Sequence, residues 1–154
     1  MKPVDQTRFN IEEPLQGPPG DCYAACLASI FEVDLADFPD EAETWKPGMG
    51  HRESWRLYLP RVHEWLRERG WVLIELESSH LFYGGGKFDP YCIYSGPSPR
   101  KPDINHAVVG RGYREIIHDP HPSRDGLLTI EGKSWWCEFL VPIDPVRNGK
   151  LVRV

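Results

Sequence analysis

The stretch QGPPGDCYAAC at positions 16 to 26 brings two thiols, Cys22 and Cys26, to the start of an apolar run. A thiol attacks carbon only as thiolate, and a helix N-terminus favours that form by placing partial positive charge beside it. Cys22 falls in the first turn of the helix that the run predicts, just after a loop rich in glycine and proline that leaves it open. Cys26 lies one turn deeper, among Ala25, Leu27 and Ile30, and reads as a small buried hydrophobe. Taken alone, Cys22 is equally well a nucleophile or an ordinary thiol.

A nucleophilic cysteine needs a base, and the base needs a group that fixes its orientation and stabilises its charge. The stretch NHAVVGRGYREIIHDPHP, residues 105 to 122, offers His106 at the start of one strand, a turn at Gly110 to Gly112, and a second strand ending in Asp119. Two antiparallel strands joined in this way return side by side, so His106 and Asp119 are expected to be neighbours across the ladder, with the imidazole giving its Nδ1–H to the carboxylate. His118 should point to the opposite sheet face if the strand is regular. His118, Asp119 and His121 also crowd together as a metal-like cluster, but Pro120 and Pro122 stiffen the segment and no further ligand accompanies it, so no metal and no cofactor are expected. Cys22 and Cys26, with no second ligand pair, are a weak zinc signal. His51, His63 and His80 have no partner pattern and are read as surface residues.

Arg100, in the proline-rich loop SGPSPRKPDIN, and His121, directly after Asp119, are candidates for substrate contact at the rim of such a site. For Arg100 the plainer reading is a solvated arginine on a surface loop. The adjacent Trp135 and Trp136 should face opposite ways on a late strand, one of them into the core. The Gly84–Gly86 run lacks a phosphate-loop pattern and is read as a turn.

The elements that must position these groups follow from the hydrophobic pattern. Residues 1 to 15 read as an N-terminal arm, and a helix is predicted over about 21 to 32, apolar nearly all round and therefore buried. A short turn or helix follows at DLADFPDE. Trp55, Leu59, Val62, Trp65 and Leu66 form the stripe of a second helix ending at Gly70, which Pro60 is expected to kink or divide. WVLIELES, YCIYSG, NHAVVGRG, REIIHDP, LLTIEG and WWCEFLVPI then read as strands. Helices followed by strands with short connections favour a single α+β domain over residues 1 to 154, its helices packed on a mostly antiparallel sheet.

The whole-chain composition restricts the function classes. With 154 residues, 40% hydrophobic and 27% charged, the chain is long enough to bury a core. A net charge of -5 and basic residues interleaved with acids give no footprint for nucleic acid or an anionic membrane. No apolar run approaches a bilayer span and the first residues lack an apolar signal core, so the expected location is cytoplasmic and the four cysteines are expected to be reduced.

The order Gln16, Cys22, His106, Asp119 resembles the papain-like cysteine peptidase superfamily, most of all its bacteriocin leader-peptidase-like branch. In that branch a DC…A…LA.I helix start is matched by Asp21, Cys22, Ala25, Leu27, Ala28 and Ile30. A histidine opening an apolar strand is matched by His106, Val108 and Val109, and a later Asp-Pro by Asp119 and Pro120. The blocks SPR…HAVVG and HDPHPS..GL are also similar to those of small phage and bacterial proteins. The resemblance spans residues 16 to 122. It implies a papain-like fold, with Cys22 as nucleophile, His106 as base, Asp119 as its orienter, and Gln16, six residues before the cysteine, as oxyanion donor. The implied activity is a peptidase or amidase acting on a peptide or other amide substrate. An acyl transferase on the same site, and a non-catalytic binding or inhibitor protein of phage origin on the same fold, are the alternatives.

Overall fold

A computed structural model describes residues 1–78, 90–112, 115–132 and 134–144, and the backbone of 146–147 and 150–151. The expectations for His80 and for Gly84–Gly86 lie outside the described residues.

The first helix, α1, spans Cys22–Phe31. It starts where predicted and is apolar on nearly every face, because it is packed on nearly every face: Ala25, Cys26, Leu27 and Ala28 are fully buried. Small side chains let its backbone approach the sheet closely, and burying Leu27 alone contributes about 1.5–3 kcal/mol. The helix ends at Glu32, whose φ of 57° is left-handed and whose side chain pairs with the N-terminal ammonium at 2.6 Å. Two 3-10 turns, Leu35–Asp37 and Glu41–Glu43, lead to the second helix, α2, His51–Glu68. Pro60 lies inside α2 without dividing it. Its stripe of Tyr58, Val62, Trp65 and Leu66 is buried.

Five strands form one antiparallel sheet: β1 Trp71–Glu77, β2 Tyr91–Pro97, β3 Asn105–Arg111, β4 Glu115–His118 and β5 Trp136–Pro142. Their order is β1-β5-β2-β3-β4, so the last long strand inserts between the first two. A two-residue pair, β6 (Val146–Arg147) with β7 (Lys150–Leu151), follows. LLTIEG, expected as a strand, is not one; apart from a bridge at Ile130 it is irregular. Its apolar residues are used differently, with Leu127 packed over the sheet and Leu128 tied to Pro97 O (2.9 Å) and to the Trp135 indole (2.9 Å).

The sheet therefore has a core on each face. On one, α1 and α2 cover Ile93, Ala107, Val109 and Leu140. On the other, Leu127 and Trp135 cover Cys92, Tyr94, Val108, Cys137 and Phe139. Trp135 belongs to this second core, whereas Trp136 is 43% exposed. All four cysteines are free, three of them buried and Cys22 partly accessible. No described helix is long and apolar enough to cross a membrane.

Candidate active site

Three of the residues singled out by type and order meet at one end of the sheet. Cys22 is the first residue of α1, where backbone N–H groups have no intrahelical partner. His106 is the second residue of β3 and Asp119 directly follows β4. The His106 Nε2–H donates to Asp119 Oδ1 at 2.7 Å, with both side chains about 95% buried. The other ring nitrogen, Nδ1, is left free of Asp119, and Cys22 lines the same cavity close enough to the imidazole to raise its pKa. The pairing thus uses the opposite ring nitrogen from the one expected.

A β-bulge decides which residue of the His118–Asp119 pair serves His106. Gly110 pairs with Ile116, but Val109 pairs with His118, so Ile117 is an extra residue on β4. In a regular ladder Val108 would face His118. With the bulge His118 pairs with Val109 instead, and continuing that register one residue past the end of β4 carries Asp119 to the sheet face of Val108 and His106. His118 is turned away and buried, its Nε2 bonded to Val4 O at 2.9 Å.

Electrostatics complete the arrangement. Burial works against a charged His106, but the hydrogen bonds to Asp119 and Cys22, and the negative charge of both, outweigh it and raise its pKa to about 9. Burial likewise works against an ionised Asp119. The His106 hydrogen bond and the backbone N–H groups of His121 and Gly126, both at 2.8 Å, outweigh it and bring the carboxyl to about 2. Asp119 is therefore a fixed anion behind an imidazolium.

Gln16 is exposed and is not among the residues lining the cavity over Cys22. The glutamine that lines it is Gln6, only 7% exposed. The N-terminal arm brings it there by folding back along both halves of the site. Asp21 does not cap α1; its carboxylate accepts from the backbone of Thr7 and Arg8 (2.9 Å each) and from the Thr7 hydroxyl (2.7 Å). The Gln6 N–H reaches Pro120 O at 3.0 Å, beside Asp119. Arg8 is clamped bidentately on Asp40, at 3.0 and 2.5 Å. Gly20 admits the arm, since a Cβ there would lie 3.2 Å from Arg8 O. Gln6 Nε2 donates one hydrogen to Arg8 O (2.7 Å), while its Oε1 is buried without a partner. No local pattern marks Gln6; its place depends on contacts made across the fold.

The cavity measures about 430 Å³. Arg100 and His121 both line it, Arg100 Nη1 on Ser123 Oγ (3.1 Å) and His121 Nδ1 on the same hydroxyl (2.8 Å). His51, expected as a surface residue, also lines it and is tied to Glu12 O at 3.1 Å; it is the first residue of α2, which begins before the stripe that opens at Trp55. Cys26 is fully buried one turn below Cys22, and burial pushes its thiol pKa well up. Among the described residues no group of three or more His, Cys, Asp or Glu is arranged to hold a metal ion.

The arrangement has the parts for nucleophilic acyl transfer: a thiol at a helix tip, an imidazole on it and an oriented carboxylate behind, beside a cavity large enough for a peptide segment. No protein-family model matches the chain, and no curated protein or solved structure is significantly similar to it.

Proposed function

We propose that this protein is a papain-like cysteine hydrolase that cleaves an amide bond in a peptide or protein. The observation that carries the reading is that Cys22, at the tip of α1, shares a cavity with the His106 ring, which is bonded on its far side to Asp119 Oδ1. The resemblance of the Cys22–His106–Asp119 order to papain-like peptidases agrees with it, while Gln16, the fourth residue of that resemblance, stays outside the cavity.

In this reading His106 accepts the Cys22 proton as the base, and the sulfur attacks as thiolate. The sulfur attacks the scissile carbonyl carbon, forming an S–C bond, and the carbonyl π electrons move to oxygen. The first-turn N–H of Cys22 and the second Nε2 hydrogen of Gln6 receive that oxyanion. As the tetrahedral intermediate collapses, the C–N bond breaks and His106 gives its proton to the departing amine. Water then enters, His106 takes its proton, and the acyl–sulfur bond breaks to release a carboxylic acid. An amine in place of water gives the acyl-transferase variant of the same chemistry. Asp119 stays ionised throughout and holds the ring.

The test is labelling with a peptidyl acyloxymethyl ketone, followed by mass spectrometry of the modified peptide. One equivalent is expected on Cys22, unaffected by Cys26→Ala and lost in Cys22→Ala and His106→Ala. Labelling that is absent, or unchanged in Cys22→Ala, removes the reading.

A further inference from the structure

The wall of the cavity beyond Cys22 is built by β5 and β1, and its residues suit a positive charge. Glu138 and Glu75 are direct partners across the β1–β5 ladder, and both line the cavity. Like charges placed opposite each other on a sheet repel, and such a pair is normally relieved by a cation. Among the described residues neither carboxylate has a lysine or arginine partner. Glu138 is 7% exposed, and its hydrogen bond is to the Tyr23 hydroxyl, on the residue next to the thiol. A carboxylate this buried is expensive to keep charged without a countercharge.

Two further features point to a ligand on this wall. Trp136, two residues from Glu138 and therefore on the same face of β5, leaves 43% of its surface exposed into the cavity region. An indole face beside carboxylates is a favourable seat for an ammonium or guanidinium. Independently, Gln6 Oε1 is a buried acceptor without a donor in the same cavity. A peptide carries both of the missing groups, an amide N–H and, on a basic residue, a side-chain cation.

The cavity is not acidic throughout. Arg100 lies on the β2–β3 loop, hydrogen-bonded to Ser123, and Arg52 in the first turn of α2. The negative wall is confined to β1 and β5, so it selects one part of a substrate and leaves the rest to other contacts.

We infer that Glu138, Glu75 and Trp136 form a specificity subsite for a basic side chain, lysine or arginine, on the substrate that Cys22 attacks. The inference rests on the hydrolase reading and names its substrate class.

The experiment compares two acyloxymethyl ketone probes that differ only in the side chain next to the reactive ketone, lysine or the nearly isosteric norleucine. The second-order rate of Cys22 labelling is measured for each. The lysine probe should react at least about tenfold faster, the size expected for a hydrogen bond to a charged group. Glu138→Gln and Glu75→Gln should each lower that preference while leaving the norleucine rate within about twofold. Glu75 is exposed, so its variant remains informative if Glu138→Gln fails to fold. Equal rates for the two probes in the wild type, or a preference that survives both variants, overturn the subsite and leave the hydrolase reading standing. Failure of both probes to label Cys22 overturns both.

Discussion

His106 and Asp119 are joined by a 2.7 Å hydrogen bond because β4 carries one residue more than β3 requires. Ile117 bulges out, half a pleat is gained, and the aspartate takes the face that the neighbouring histidine would otherwise occupy. The pairing of His106 with Asp119 therefore depends on a backbone irregularity as much as on the identity of either side chain.

Deleting Ile117 should restore the regular ladder and rotate Asp119 away from His106. The expected outcome is a folded protein with amide hydrolysis reduced by about 100-fold or more, the scale for losing the group that orients a catalytic histidine. A steady-state assay beside a circular dichroism spectrum checks it. Activity near wild type in the deletion variant would mean that the bulge does not set the pairing.

Gln6 and Gln16 should separate cleanly on substitution. Gln6→Ala removes the side chain that lines the Cys22 cavity, and a fall in kcat of about 100- to 1000-fold is expected, as for loss of one oxyanion donor. Gln16→Ala removes an exposed side chain and should change neither rate nor stability beyond about 0.5 kcal/mol. The opposite ranking in kcat would return the oxyanion role to Gln16.

Stability should depend on Glu138 in a pH window set by its burial. Burial raises its carboxyl to about 7; the Tyr23 hydrogen bond opposes the shift and the charge of Glu75 adds to it. The unfolded chain ionises this group from about pH 4.5, the folded one only near 7. Its contribution to stability is therefore present below about 4.5 and lost as pH rises through 7. Glu138→Gln keeps an acceptor for Tyr23 and abolishes the titration. Urea denaturation should find the variant more stable than wild type at pH 8, by on the order of 2 kcal/mol, with that advantage gone at pH 4.5. A difference independent of pH would contradict the assignment.

Much of this was legible in the sequence, for physical reasons that also explain what was not. Cys22 at a helix start, His106 opening a strand and Asp119 closing the next are local features, and local pattern places them correctly. The α1 helix, the α2 stripe and five of the six expected strands are likewise read from periodicity. What the pattern cannot carry is long-range. Nothing in WWCEFLVPI says that β5 inserts between β1 and β2, yet that insertion brings Glu138 opposite Glu75. Gln16 has the spacing that the resemblance to papain-like peptidases calls for, but Gln6 reaches the cavity because the Asp21 side chain binds Thr7 and Arg8 instead of capping its own helix. LLTIEG has a strand-like composition and lies as a loop over the second core, where Leu127 is buried and the backbone of Leu128 bonds to Pro97 and Trp135.

The central claim is that Cys22 is activated by His106, and the rate of Cys22 alkylation by iodoacetamide at several pH values tests it most directly. His106, held at about 9, keeps its proton across neutral pH and loses it as pH rises through that value, so an imidazolium stands beside Cys22 below about 9 and not above. At pH 6 the wild type should react at least about tenfold faster than His106→Ala, with the gap closing above pH 9. Equal rates for the two proteins at pH 6 would contradict the account.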